Sequence, residues 1–510
     1  MHLSIAKTVK VINQIQWKKI GKWQFNALSW LVLMEGQEDY RFKEKGLPFG
    51  FSKMLAVNED QYIAKKDLAG WVQYIGRLVN KTRFLVHIKK LVLQSAAQLN
   101  FYTESIRYLN PRSLSSMQII EKISQFEGDV KNLFVTGYLY IPFDEAIEKY
   151  LIKELSRLDK DPGDLLPKLI IPRGTSYVAR EEKELLRLAA KIYKRRELKK
   201  IFRGSPKSVA ARLSRQVPEL FNQIDRHRDE YAWIMIFNWI GEPYGIAYYI
   251  SRIQKYLRGK ENPVTLLRNR ISEERRNEKN YEQLTKAFPQ QLRKTIELVR
   301  DHLELKLYRW DVGCIAAYRS RPLLAEAARR MGVALDDVWY LTFREIKENL
   351  KKEAKSSKLK KLIRRRRKNQ VIVKLGRFVL LWEGKEAFLI RSQLKLEAEN
   401  KKIETLQGFP AFKGGVIRGR VRIMHTAREI DQMEQDEILV CPMTDPDYMP
   451  AIYKARALIT DQGGILCHAA IVARELKKPC IIGTEAGTRF LKTGNSIEMN
   501  SDTGEIKIGF

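Results

Sequence analysis

Cysteine is scarce in this sequence: Cys314, Cys441, Cys467 and Cys480 are the only four in 510 residues, and no two form a CxxC pair. That spacing excludes a disulfide framework and a zinc site built on paired cysteines, and it suits a reducing compartment. Long apolar runs are missing too. No segment approaches the roughly 18–20 uninterrupted apolar residues of a membrane helix. The first residues, MHLSIAKTVKVINQIQWKKIGKWQ, have Lys and Gln where a secretory signal has an apolar stretch. The expectation is a cytoplasmic protein without a membrane span. Glycine is thin over residues 1–400, which hold 18 of the 29. No Walker-type loop and no barrel-like strand–helix repeat is found there.

Acidic side chains are in short supply, and unevenly so. The net charge is +33, yet residues 401–510 hold 15 Lys and Arg against 14 Asp and Glu. The first 400 residues therefore carry an excess of +32. Two parts so different in charge are expected to meet different partners. A basic surface suits nucleic acid, an anionic membrane or an acidic protein, and charge alone does not choose. The densest run, KKEAKSSKLKKLIRRRRK over 351–368, sets 11 basic side chains against Glu353. Such runs can bind nucleic acid, but they are more often solvated loops or helix faces.

What is present fits two or three domains. Segments 181–202 and 291–310 repeat apolar residues at helical spacing, so residues 1–394 read as a large, mainly helical domain. Two patches break that pattern. KMLAVNEDQYIAKKDL has Asn58-Glu59-Asp60 between apolar runs and reads as a hairpin, and VIVKLGRFVLLWEGKEAFLI (371–390) reads as another. Tyr231, Trp233, Phe237 and Trp239 form an aromatic stretch that reads as core ahead of pocket, and His227 reads as a surface or capping residue. Residues 395–407 have the composition of a linker. From 408 to 510 the style changes to short β-like runs (GVIRGRVRIM, DEILVCPM, ALIT, PCIIGT, SIEMN, EIKIGF) with Gly-containing turns between them, a compact β/α/β domain. The fold class expected is α plus α/β.

The chemistry concentrates in TDQGGILCHAAIVARELKKPCIIGT, residues 460–484. A strand ending at Thr460 runs through Gly463-Gly464 into a helix beginning at His468. Paired glycines let a bulky group approach the backbone, and a helix start offers free N–H groups and a positive dipole end to an anion. Ala469 and Ala470 leave room around the imidazole, Ala469, Val472 and Leu476 make a buried face, and Pro479 stops the helix. A neutral imidazole placed there is a competent nucleophile toward phosphorus.

This run resembles the phosphohistidine signature of phosphoenolpyruvate synthase, pyruvate phosphate dikinase and rifampicin phosphotransferase, and more distantly that of enzyme I of the sugar phosphotransferase system. The likeness covers the tail: GFPAFKGGVIRGRVRIM, VCPMTDPDYMPAIYKARALIT and NSDTGEIKIGF resemble the family's opening, middle and closing segments. RRMGVALDDVWYLTFREIKENL (329–350) resembles a piece of the helical middle region of rifampicin-phosphotransferase-like proteins. The resemblance implies a swivelling domain with His468 as phosphoryl carrier, Gly463 and Gly464 shaping the loop, and Thr460 and Arg474 at matching positions. Cys467 stands where serine is common. No metal ligands are expected in the chain. Family members that act alone also carry an ATP-grasp domain, which residues 1–400 do not resemble.

Two functional expectations follow. In the first, a separate ATP-grasp or phosphoenolpyruvate-binding protein, bringing ATP and Mg²⁺, phosphorylates His468, and the carrier hands the group to a small-molecule acceptor. In the second, the basic helical part tethers the chain to nucleic acid or an acidic protein, and the histidine domain is a phosphorylation-controlled switch. ATP-dependent labelling of His468 supports the first, and salt-sensitive retention on nucleic acid supports the second.

Overall fold

Asn58, at φ +51°, turns the chain sharply enough for its two flanking apolar runs to pair, a conformation Asn tolerates better than most residues. The computed structural model describes residues 4–22, 27–137, 139–160, 162–171, 177–235, 242–259, 261–352, 357–396, 406–425, 427–444, 448–465 and 467–509. The chain divides into two compact units, one containing Met1–Pro167 and Arg319–Phe510, the other Lys168–Phe237 and Gly241–Tyr318.

In the first unit the hairpin joins a five-stranded antiparallel sheet of β1 (Trp17–Lys22), β2 (Lys53–Val57), β3 (Asp60–Ala64), β4 (Gln370–Leu375) and β5 (Phe378–Glu383), ordered β1-β3-β2-β4-β5. Gln370 N–H donates to Asn58 Oδ1 at 3.2 Å across 312 positions of sequence. Strand β1 was not foreseen in the sequence, because WKKIGK alternates poorly and carries a bulge between Lys19 and Gly21. The hairpin expected over 371–390 stops at Glu383. Gly384 adopts φ +60° and a helix, Gly384–Gln393, follows, with Ala387 and Ile390 packed against Val9 and Ile12. Those two are three apart, the spacing of one helical face.

Long helices make up most of the remainder of residues 1–396. Ser115 and Gln118 form a capping box at the start of Ser116–Val135. In the second unit His227 is 6% exposed, not at the surface, and its Nε2 lies 3.2 Å from Glu181 Oε1. Arg252 Nη1 donates to both Glu181 oxygens at 2.6 and 2.7 Å. Tyr231 and Trp233 are buried as expected of core, whereas Phe237 and Trp239 lie outside the described residues.

The tail forms an eight-stranded sheet. Its strands are β6 (Leu406–Gln407), β7 (Phe409–Phe412), β8 (Val416–Ile423), β9 (Ile438–Cys441), β10 (Ala457–Thr460), β11 (Cys480–Ile482), β12 (Ser496–Asn500) and β13 (Glu505–Ile508), ordered β6-β13-β12-β8-β9-β10-β11-β7. The inner strands β8 to β11 are parallel, and antiparallel strands flank them. Strands β9, β10 and β11 are buried along their whole length, so they read as unbroken apolar runs, as parallel strands covered on both faces do. All six β-like runs seen in the tail contain strands, while β6 and β7 were too short to announce themselves. Of the expected linker, residues 397–405 lie outside the described residues.

Candidate functional site

Strand β10, the helix His468–Leu476 and β11 make one βαβ unit with β10 and β11 paired in parallel. Residues 461–465 and Cys467 lie on the carboxyl-end side of these strands, where open α/β sheets place their ligand sites. His468 is the first residue of its helix and Cys467 is the N-cap, with no side-chain capping bond. The helix is buried more completely than a single face would give: Ala469, Ala470, Ile471, Val472 and Ala473 are all inside, and Leu476 is only half-buried. It ends on Lys477 at φ +53°, whose N–H donates to Ala473 O, a left-handed stop just before Pro479.

Thr444 follows β9 and its Oγ1 lies 2.9 Å from His468 Nδ1. Thr444 is 3% exposed, so the hydroxyl is a fixed partner and not a swinging one. When Nδ1–H donates to the Thr444 hydroxyl, Nε2 holds the lone pair.

The residues singled out beforehand gather around this loop. Thr460 is fully buried, its hydroxyl donates to Gln462 O at 2.8 Å, and its carbonyl accepts from Thr484 N–H at 3.0 Å. Its place is that of a brace, and Asp461 extends it by accepting at Oδ1 from Thr488 N–H at 3.0 Å and Thr484 Oγ1 at 3.2 Å. Gly463 adopts φ +116°, and a Cβ there would lie 2.7 Å from Cys467 Sγ, so both backbone freedom and space require glycine. Cys467 N–H donates to Gly464 O at 2.9 Å, closing the turn onto the helix. Arg474 reaches back along its helix and donates through Nη2 to Ile465 O. Its Nε and Nη1 are buried without a hydrogen-bond partner. Burial holds this guanidinium down to about 10, against the pull of Cys467, Cys480 and Glu148. The Cys480 thiol is pushed up by the same burial.

Two neighbours were missed. Thr444 stands in VCPMTDPDYMPAIY, a stretch noticed only as a whole, and its spacing from His468 gave no further sign. Glu148, on the helix Tyr140–Arg157, accepts a hydrogen bond from the backbone of Ile465. Nothing local marks it, because it lies more than three hundred positions away. Among the described residues, no group of three or more His, Cys, Asp or Glu is gathered as a metal ion would require, and no helix is long and apolar enough to cross a membrane.

Residues 433–504 match the family described as PEP-utilising enzyme, mobile domain. Among its relatives, a probable phosphoenolpyruvate synthase of Archaeoglobus fulgidus is 36% identical over 139 residues, 25% of this chain and 18% of that protein. The phosphoenolpyruvate synthase of Pyrococcus furiosus is 44% identical over 95 residues, 19% of this chain and 12% of that protein. An uncharacterised protein of Mycobacterium tuberculosis is 37% identical over 197 residues, 37% of this chain and 21% of that protein. That last match, over 197 residues, is longer than residues 408–510, so the similarity is not confined to the tail. The chain matches less than a quarter of the length of each of these relatives.

Proposed function

We propose that His468 carries a phosphoryl group between a donor bound to another protein and an acceptor bound by this one. The observation that carries the reading is the Thr444 Oγ1–His468 Nδ1 contact at 2.9 Å, on a glycine turn at the carboxyl ends of parallel strands. With Nδ1–H donating to Thr444, the Nε2 lone pair attacks phosphorus and the bond from phosphorus to the donor's leaving oxygen breaks. In the second step an acceptor hydroxyl oxygen attacks the same phosphorus. The P–N bond breaks, Nε2 recovers its electron pair, and the hydroxyl proton leaves to a base. The helix start and the loop N–H groups favour the added negative charge. ATP and Mg²⁺ are assigned to an ATP-grasp protein acting in trans, and the acceptor class is a hydroxylated small molecule.

The test is incubation of the full chain with candidate donor proteins and labelled ATP or phosphoenolpyruvate. Acid-labile, base-stable label on the wild type that is absent from H468A is the expected result. Label that persists on H468A sinks the assignment.

A second reading draws on the helix Ser357–Lys368, where Lys358, Lys360, Lys361 and Arg364 are exposed. It makes the chain a nucleic-acid-binding protein with a phosphorylatable domain, and its mark is RNA or DNA retention that falls steeply between 50 and 200 mM salt, by roughly 10³-fold for six contacts.

A further inference from the structure

The helix Tyr140–Arg157 brings a carboxylate to the carrier loop. A Cβ built on Gly464 would lie 2.6 Å from Glu148 Oε2, and its three nearest atoms all belong to Glu148. Gly464 does not occupy the left-handed region, so its backbone would accept a side chain. The space is what Glu148 takes up. Ile465 N–H donates to the same carboxyl and Arg474 attracts it, while burial and the carboxylates of Asp144 and Glu145 push it toward its protonated form. The loop preceding His468 thus meets this helix through one carboxyl whose surroundings, burial first, on balance favour its protonated form.

We propose that Glu148 is the positioning residue that seats the unphosphorylated carrier loop on this helix, and that the same acidic face rejects the loop once His468 is phosphorylated. The inference rests on the reading of His468 as the carrier. Phosphorylation adds about 1.5 to 2 negative charges, and His468 follows Gly464 by four positions and Ile465 by three. Repulsion from Asp144, and from Glu148 in its ionised form, then works against the hydrogen bond that holds the loop, while Glu145 is engaged by Lys149 at 2.6 Å. The contact is a parking position for the discharged carrier, which directs the charged carrier elsewhere to deliver its group.

The experiment is hydrogen exchange by mass spectrometry on the full chain, following peptides that cover 461–467 and 140–157. E148A and G464A should each speed exchange at the Ile465 amide about tenfold, with far-UV circular dichroism unchanged. E148Q keeps an acceptor without the charge and should fall between them and the wild type. The double variant should loosen the loop no further than either single one, because both remove the same contact. H468D, which fixes negative charge on the loop, should loosen it as E148A does. Wild-type protection in both E148A and G464A overturns the seating. Wild-type protection in H468D beside loosening in E148A overturns the rejection by charge. Phosphoramidate treatment tests the carrier reading separately: an unlabelled His468 defeats that reading, while the Glu148 contact stands or falls on E148A and G464A.

Discussion

Thr444 Oγ1 lies 2.9 Å from His468 Nδ1, so the first prediction concerns Thr444. T444V keeps the volume and removes the partner of Nδ1. Phosphorylation of His468 by phosphoramidate should slow about tenfold, a loss comparable to one hydrogen bond made in the reacting state. T444S should restore most of the rate, and equal rates for all three proteins would show that the contact does not set the tautomer. A second single-residue prediction concerns acid. Glu326 is 5% exposed and is bound by Arg329 and Arg330 at 2.7 and 2.8 Å. Those bonds, Arg329 first, hold its carboxyl down to about 2. A depressed carboxyl stabilises the fold above its unfolded value of about 4.5, and that contribution is lost as pH falls from there toward 2. E326Q should flatten the fall in melting temperature over this window, and an unchanged slope would count against it. The place of His468 at the start of its helix was legible from the glycine turn before it and the apolar run after it. Thr444 was half-legible, and Glu148 was not, since only the folded chain brings it near.

At the scale of elements, the basic run 351–368 shows what composition hides. Most of its described side chains are exposed, but Arg366 is 4% exposed. It donates to both Glu345 oxygens at 2.7 Å, to Glu383 Oε2 at 3.1 Å and to Tyr340 O at 2.9 Å. It therefore ties the helix Ser357–Lys368 to β5 and to the helix Phe343–Lys352. R366A leaves Glu345 without its cation and Glu383 with Arg365 alone, and should cost about 3–5 kcal/mol, the usual range for a broken buried pair. R364A, at an exposed position of the same helix, should stay within about 0.5 kcal/mol. Urea melts of the two variants decide it, and similar midpoints would mean that Arg366 carries no special load. The same contrast explains which elements could be read from sequence. The β2–β3 and β4–β5 hairpins rest on local turns at Asn58 and Gly376, and β9, β10 and β11 are short unbroken apolar runs. The pairing of β2 with β4 joins segments more than three hundred positions apart, and Arg366 meets partners 17 to 26 positions away on neighbouring elements, so neither leaves a trace in the run itself.

For the molecule as a whole, β4 is what completes the first sheet, covering the edge of β2 with hydrogen bonds from Lys53–Leu375 to Val57–Val371. A chain cut before Gln370 keeps β1, β2 and β3 but leaves that edge open, and open edges invite pairing between molecules. Such a fragment should be recovered in inclusion bodies, while one ending at Leu396 should be soluble. Equal solubility would show that the β1–β3–β2 portion does not depend on its distant partner. There is a consequence for how the protein is made. Synthesis runs from the N-terminus at about 5–20 residues per second, so after β2 leaves the ribosome its partner follows on the order of half a minute later. Until then the nascent chain exposes a strand that only its own distant segment can cover, and contacts of such long sequence separation close slowly. Protease protection of residues 53–64 on stalled ribosomes should therefore appear only in chains long enough to have released β4.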